Sequence, residues 1–172
     1  MRTFIAIDFS PEIIDRIAEV IKYFKTQTPE GALKWVSPEN LHLTIKFLGD
    51  VPDKNIDTIK TLISRTIQGE KAFNIRVEGL GMYPNQRKPR VIWLGIKDYQ
   101  TLSNIHKALD QALVEAKIER DQRGFSPHLT IARMRRRTDF NTAQEIGNTL
   151  SHFKVDTLGS CLIENICLYK SV

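Results

Sequence analysis

The chain has 172 residues, 41% of them hydrophobic, so it can bury a core, and we expect one domain over residues 1–172. The opening apolar run is too short for a signal peptide, and no run approaches the roughly 18 residues that cross a bilayer. We therefore expect a cytoplasmic protein that does not bind membranes. Its net charge of +5 favours polyanionic partners.

The first half of the sequence predicts strands alternating with helices. A strand is expected over residues 2–8, then a helix with Ser10 as N-cap and Pro11 in its first turn. A short strand over 33–36 and a longer one over 41–48 come next. A second helix follows Pro52, and another strand is expected over 73–79.

The second half repeats this order after a turn rich in Gly and Pro over 79–89. It predicts a strand over 91–96, a helix with an apolar stripe from Tyr99 to Ala116, and a strand that begins near His128. A shorter helix near 141–150 and strand material over 153–169 complete the chain. The sequence therefore predicts an α+β fold with pseudo-twofold character and a groove between its halves.

The tetrapeptide His-Leu-Thr-Ile occurs twice, beginning at His42 and at His128. With four histidines in the chain, composition alone would produce the second copy with a chance on the order of a few in a thousand. Histidine exchanges protons near neutral pH, and a displacement reaction needs one acid and one base. Two matched histidines therefore suggest a matched acid and base.

Alternation around each copy predicts how the motif is displayed. Leu43, Ile45 and Phe47 alternate with His42, Thr44 and Lys46, as in a half-buried strand. The second copy places His128 and Thr130 on one face in the same way. If the two strands lie together, the hydroxyls can donate to anionic oxygens while the imidazoles transfer protons.

The alternatives explain less. Histidines that fill a polar interior would leave the repeated Thr unexplained, and neither His106, on a helix stripe, nor His152, in a polar connection, has a Thr two residues later. A zinc site needs three or four His, Cys or carboxylate ligands, so we expect no metal. Pro84 interrupts the only dinucleotide-like glycine pattern, and we expect no cofactor.

Basic residues follow the second motif, at Arg133, Arg135, Arg136 and Arg137. This run is either a solvated strand end or a surface that holds the phosphates of a longer nucleic acid. Alternation points Arg133 away from His128 unless the strand twists or ends there.

Together these residues resemble the 2H phosphoesterase superfamily. The resemblance is strongest to the RNA 2′,3′-cyclic phosphodiesterases of bacteria and archaea, historically called 2′-5′ RNA ligases. It rests on the two His-x-Thr-x motifs with their flanks over 35–49 and 127–133, and on the segments 2–8, 79–84 and 89–95. It covers nearly the whole chain and departs after Val172, where many relatives continue through another short strand.

The resemblance implies two antiparallel sheets with outer helices, a central groove, and one motif in each of two intertwined lobes. It implies hydrolysis of RNA 2′,3′-cyclic phosphate ends to 2′-phosphomonoesters without a metal, by a monomer acting on RNA or small cyclic nucleotides. Two alternatives stay open: ATP-independent 2′-5′ ligation by the reverse reaction, and a non-catalytic RNA-binding domain.

The resemblance also implies roles for individual residues. His128 would deprotonate the attacking water, and His42 would protonate the leaving 3′ oxygen. Thr44 and Thr130 would bind the non-bridging phosphate oxygens. The possible contacts with substrate or RNA are Lys46, Arg133, Arg135, Arg136 and Arg137.

Overall fold

The computed structural model describes residues 2–118, 120 and 122–171. Residue 172, where the family resemblance departs, lies outside this part of the chain. The strands are β1 (Arg2–Asp8), β2 (Leu33–Trp35), β3 (His42–Asp50), β4 (Phe73–Tyr83), β5 (Val91–Lys97), β6 (His128–Met134), β7 (Ser160–Ile163) and β8 (Cys167–Lys170). The helices are α1 (Pro11–Gln27), α2 (Ile56–Thr66), α3 (Gln100–Glu115) and α4 (Phe140–Ser151).

The strands form two sheets, in the orders β3-β1-β8 and β2-β6-β5-β4-β7. Every strand pairing in them is antiparallel. The sheets are not contiguous in sequence, since β2 joins the sheet that contains β4 to β7, and β8 joins the sheet of β1 and β3. The two sheets confirm the predicted α+β class. The expectation of a single domain over the whole chain stays a prediction.

The two sheets share a pseudo-twofold unit of three strands. In each unit the motif strand pairs with a central strand, which pairs in turn with a third: β3-β1-β8 in one and β6-β5-β4 in the other. The registers correspond, because His42 lies opposite Asp8 on β1 and His128 lies opposite Gly95 on β5. Positions in the two halves can therefore be compared residue by residue.

Each motif strand contains a β-bulge directly after its Thr. The extra residue is Ile45 in β3 and Ile131 in β6. A bulge reverses the face that the following side chains occupy. Phe47, predicted on the apolar face, is consequently 48% exposed, and Lys46, predicted beside His42, is buried. The prediction for Phe47 was wrong because strict alternation makes no allowance for an inserted residue, whereas Lys46, though buried, still borders the groove that holds His42.

The bulge in β6 has the corresponding effect. Ala132 is fully buried, and Arg133 turns out of the core toward the groove that the two motif strands share. Simple alternation had pointed Arg133 away from His128. The same distortion thus places Phe47 and Arg133 at equivalent positions of the two halves.

The helices pack their predicted apolar stripes into the core. The buried residues are Ile13, Ile17, Ile21 and Phe24 of α1, Ile59 and Ile63 of α2, and Leu102, Ile105, Leu109 and Leu113 of α3. Ser10 occupies the N-cap of α1 but makes no side-chain cap hydrogen bond, unlike Asp139, which accepts one from the Thr142 amide at α4. Among the described residues, no helix has the length and apolar character needed to cross a membrane.

Strand β4 is longer than predicted. A turn was expected to begin at Gly79, but the strand continues to Tyr83. Gly79 adopts a φ of +89° within a bulge between Val77 and Leu80, so the chain kinks and resumes pairing instead of reversing. The bulge packs tightly against β5, because a Cβ atom at Gly95 would lie 2.5 Å from the Glu78 carbonyl oxygen.

The inward-facing Lys46 is neutralised by α3. Its Nζ lies 2.6 Å from Oδ1 of Asp110, and its side chain is 3% exposed. Nε of Arg120 lies 3.2 Å from the same oxygen. The hydrogen bond from Lys46 is the main reason that the pKa of the Asp110 carboxyl is lowered.

We expect unequal costs from removing the two partners of this pair. Asp110→Asn leaves a buried ammonium with no counter-charge and should lower the free energy of unfolding by about 2 kcal/mol, below the usual cost because Asp110 is one-third exposed. Lys46→Met should cost less than about 1 kcal/mol, since it leaves Asp110 with Arg120. Urea denaturation measures both.

The Asp110→Asn deficit should also depend on pH. A carboxyl with a lowered folded-state pKa stabilises the fold above its unfolded pKa, and that stability is lost as pH falls through the folded pKa. The wild-type advantage should therefore shrink in acid. An equal loss in both variants, or a pH-independent one, would contradict the charge pairing.

Candidate active site

A groove of about 1060 Å³ lies where the two motif strands meet. It is lined by both predicted imidazoles and both predicted hydroxyls, those of His42, Thr44, His128 and Thr130. All four residues are half-buried. The groove therefore brings together, from strands of different sheets, the two copies of the repeated motif.

Backbone carbonyl groups orient both imidazole rings. Nδ1 of His128 lies 2.7 Å from the carbonyl oxygen of Ser126, two residues earlier. The ring of His42 makes the corresponding hydrogen bond with the backbone of Asn40. Because a carbonyl oxygen only accepts, Nδ1 of His128 must carry a proton, and its Nε2 is left for proton transfer.

Aromatic rings hold His42 in place. Its imidazole stacks on Phe4 at a centroid distance of 4.8 Å and lies 5.7 Å from the ring of Tyr169. The Tyr169 hydroxyl donates a 2.5 Å hydrogen bond to Oδ1 of Asp8. Sequence reasoning missed these neighbours, because only the register of β1 with β3 and β8 shows that they converge.

His128 has a different aromatic setting. The edge of its ring meets Tyr83 at 5.0 Å, and Trp93 lies 5.9 Å away. The indole covers Gly81 so closely that a Cβ atom there would collide with the ring. Tyr83 was missed because it was placed in a turn, although the alternation of Leu80 and Met82 already indicated a continuing strand.

The electrostatics of the groove favour an anionic ligand. Burial lowers the pKa of His42, and the Asp8 charge and the hydrogen bond to Asn40 only partly oppose it. Positive side chains enter the same groove from three elements, namely Lys34, Arg133 and Lys170. An anion placed among these groups would be attracted and would stabilise the protonated form of His42.

Three of the remaining basic candidates lie outside the groove lining, whereas Lys46 borders it. Arg135, Arg136 and Arg137 are exposed in the turn after β6, where the Arg135 amide donates to the carbonyl of Ala32. The Arg90 carbonyl accepts from the Met134 amide, which places the basic loop before β5 beside this turn. Their contact with RNA stays a prediction, as does that of Lys46.

The other histidines have different surroundings. His106 is buried, as expected for the edge of the core, and stacks on Phe125 at 4.8 Å while also bordering the groove. His152 is exposed at the end of α4. Across residues 2–118, 120 and 122–171, no three His, Cys, Asp or Glu side chains converge as metal ligands.

Paired imidazoles and hydroxyls in a basic groove, within two related antiparallel units, define the class of 2H phosphoesterases. More narrowly, the chain belongs to the LigT-like phosphoesterase family. The model of this family, LigT like Phosphoesterase, matches residues 7–93. The chain is 31% identical to an RNA 2′,3′-cyclic phosphodiesterase of Methanothermobacter thermautotrophicus, over 99% of this chain and 90% of that protein. It is 33% identical to that of Methanocaldococcus jannaschii, over 99% and 91%.

Solved structures are similar in fold. A crystal structure from Thermus thermophilus superposes with a TM-score of 0.75 and 26% identity, covering 100% of this chain and 89% of that one. The E. coli LigT structure complexed with 3′-AMP superposes with a TM-score of 0.71 and 25% identity, covering 98% and 86%. Both are similar to this chain over nearly its full length.

We expect an anion to reverse the pKa shift of His42. In the free protein its imidazole should titrate below its ordinary range because of burial, and a bound 2′-phosphomonoester should move the titration upward. Imidazole NMR titrations with and without 2′-AMP measure both states. His152, exposed at the end of α4, is the internal control and should not respond. An unchanged or downward shift of His42 would contradict this account of the groove.

Proposed function

We propose that this chain hydrolyses 2′,3′-cyclic phosphate ends of RNA to 2′-phosphomonoesters. The observation that carries the proposal is the convergence of His42, Thr44, His128 and Thr130 in one groove. In this proposal each half supplies one imidazole and one hydroxyl, which act on opposite sides of the phosphate. An in-line displacement at phosphorus needs this division, with a base on the attacking side and an acid on the leaving side.

In the proposed reaction, Nε2 of His128 takes a proton from water as the water oxygen bonds to phosphorus. The bond from phosphorus to the 3′ oxygen breaks, and His42 donates a proton to that oxygen. The products are a 2′-phosphate and a free 3′ hydroxyl. The hydrogen bond between Nδ1 of His128 and Ser126 supports the base role, because it directs the free ring nitrogen away from the backbone.

The hydroxyls of Thr44 and Thr130 would donate hydrogen bonds to the non-bridging oxygens, whose negative charge persists through the transition state. Lys34, Arg133 and Lys170 would add positive charge around the same group. No step in this sequence calls for a metal ion. The groups that line the groove are donors and cations, which suit a phosphate ligand.

The names of the relatives agree with this reaction. Those from Methanothermobacter thermautotrophicus and Methanocaldococcus jannaschii are both RNA 2′,3′-cyclic phosphodiesterases, and E. coli LigT is known in complex with 3′-AMP. We propose that this chain likewise accepts RNA ends or small cyclic nucleotides and acts as a cytoplasmic monomer.

We expect His42→Ala and His128→Ala each to lose at least about 100-fold in turnover of a dinucleotide 2′,3′-cyclic phosphate, measured in EDTA. A nitrophenyl ester, whose leaving group needs no protonation, should partly rescue His42→Ala but not His128→Ala. Product analysis should show a 2′-phosphate.

The matched control for these variants is His152→Ala, which removes an exposed histidine outside the groove lining and should keep full activity. Equal rescue of both variants would refute the assigned roles. Normal turnover in either variant, or turnover that EDTA abolishes, would refute the two-histidine mechanism.

We expect the basic turn to contribute only to long RNA. Replacing Arg135, Arg136 and Arg137 with Gln should weaken binding of a single-stranded RNA and reduce the slope of log K against log salt by about 2, at roughly 0.7 for each lost phosphate contact. Turnover of a cyclic mononucleotide should change little.

The charge-matched control replaces Lys22, Lys25 and Lys154, which are exposed and lie outside the groove lining. It should leave the salt slope near that of the wild type. An identical effect of the two triple variants would assign the arginine run to the general surface charge.

A further inference from the structure

The pseudo-twofold unit raises a question that the two motifs alone do not answer. The two halves present the same His and Thr, yet the proposed reaction needs one imidazole to be the acid and the other the base. Something outside the motifs must therefore break the symmetry. The register of the motif strands with their central strands shows where the halves differ.

The difference lies directly opposite each histidine. Asp8 on β1 pairs with His42, whereas Gly95 on β5 pairs with His128. Directly opposed residues of antiparallel strands have Cβ atoms about 5 Å apart on the same face, so the carboxylate of Asp8 is a lateral neighbour of the His42 imidazole. At His128 the corresponding position has no side chain.

The two positions cannot be interchanged. A Cβ atom at Gly95 would lie 2.5 Å from the carbonyl oxygen of Glu78, which the bulge in β4 pushes toward β5. The fold of the second half therefore disfavours any side chain, including a carboxylate, at position 95 opposite His128. In the first half β8 has no such bulge against β1, and Asp8 is exposed.

Asp8 is also held in place. The Tyr169 hydroxyl donates to its Oδ1 at 2.5 Å, and Sγ of Cys167 lies 4.0 Å from its Oδ2. The ring of Tyr169 stacks near His42, so one residue contacts both the carboxylate and the imidazole. The corresponding tyrosine of the second half, Tyr83, meets the edge of His128 and has no carboxylate to hold.

We propose that Asp8, oriented by Tyr169, is the positioning residue that makes His42 the acid of the pair. A carboxylate beside an imidazole stabilises the imidazolium, the form that an acid must have before it donates. His128, facing Gly95, lacks this stabilisation and is free to act as the base. This inference rests on the proposed function and adds to it the cause of the asymmetry.

The electrostatic setting of His42 is consistent with this role. Burial lowers its pKa, and the charge of Asp8 is the larger of the two effects that oppose burial. The other titratable groups that line the groove with it are Lys34, Glu39, Lys46, Tyr83, His106, Arg123, His128, Arg133, Tyr169 and Lys170. Of these, Lys46 is paired with Asp110.

The test is Asp8→Asn, which keeps the shape and removes the charge. The NMR titration of His42 should move to lower pH, while that of His128 stays in place. Because an acid must be protonated, turnover falls as pH rises through the pKa of His42, so this limb of the pH profile should also move to lower pH. On that limb, turnover of the cyclic phosphate should fall about tenfold, and that of a nitrophenyl ester less than about twofold.

Two further variants sharpen the result. Tyr169→Phe keeps the ring and the charge of Asp8 but removes the hydrogen bond, and should shift His42 in the same direction by less. Asp57→Asn removes an equal charge from a carboxylate on α2 that is 95% exposed, and should shift neither histidine.

The outcomes separate the two proposals. A His42 titration that does not respond to Asp8→Asn, or a His128 titration that moves equally, would overturn the role of Asp8. The titrations need no turnover. A wild-type protein that is inactive on cyclic phosphates, yet shows the expected His42 shift, would reject the proposed function while retaining the effect of Asp8 on His42.

Discussion

The antiparallel pairing of each motif strand with its central strand, interrupted by a bulge directly after each Thr, is the constraint on which the groove depends. It sets which residue faces each histidine, since β1 places Asp8 beside His42 and β5 places Gly95 beside His128. After the bulge residue that follows each Thr, the next side chain points into the core and the one after it points outward. Without the bulge, Lys46 would lie on the same strand face as His42, and Phe47 would lie on the core face.

The inward turn has an energetic consequence. A lysine inside a core is costly unless its charge is matched, and α3 supplies Asp110 at 2.6 Å for that purpose. In the second half the equivalent residue is Ala132, which needs no partner. The bulge therefore links the motif of the first half to α3 through an ion pair, whereas the second motif relies on apolar packing at the same point.

Much of this organisation could be predicted from the sequence, because it depends on short-range patterns. Apolar spacing identified α1 and α3, and the repeated tetrapeptide identified the four residues that meet in the groove. Long-range pairing could not be predicted. Phe47 was placed on the wrong face, and Arg133 could be placed toward the groove only if the strand twisted or ended there, because a bulge leaves no mark in an alternating pattern. Tyr83 was assigned to a turn because Gly and Pro residues surround it in the sequence. A glycine with a positive φ can equally well kink a strand, and Gly79 does so here.

The environment of His42 connects these elements with the chemistry. A buried imidazole favours its neutral form, yet the proposed acid must be charged when substrate is bound. The carboxylate of Asp8 beside it limits how far burial lowers its pKa. The phosphate of a bound substrate would supply a second negative charge, which is present only while the substrate occupies the groove. The imidazolium is thus stabilised mainly in the complex. The proposed acid would thus become charged when its substrate binds, while the proposed base, with Gly95 opposite it, has no carboxylate at that position to stabilise its imidazolium.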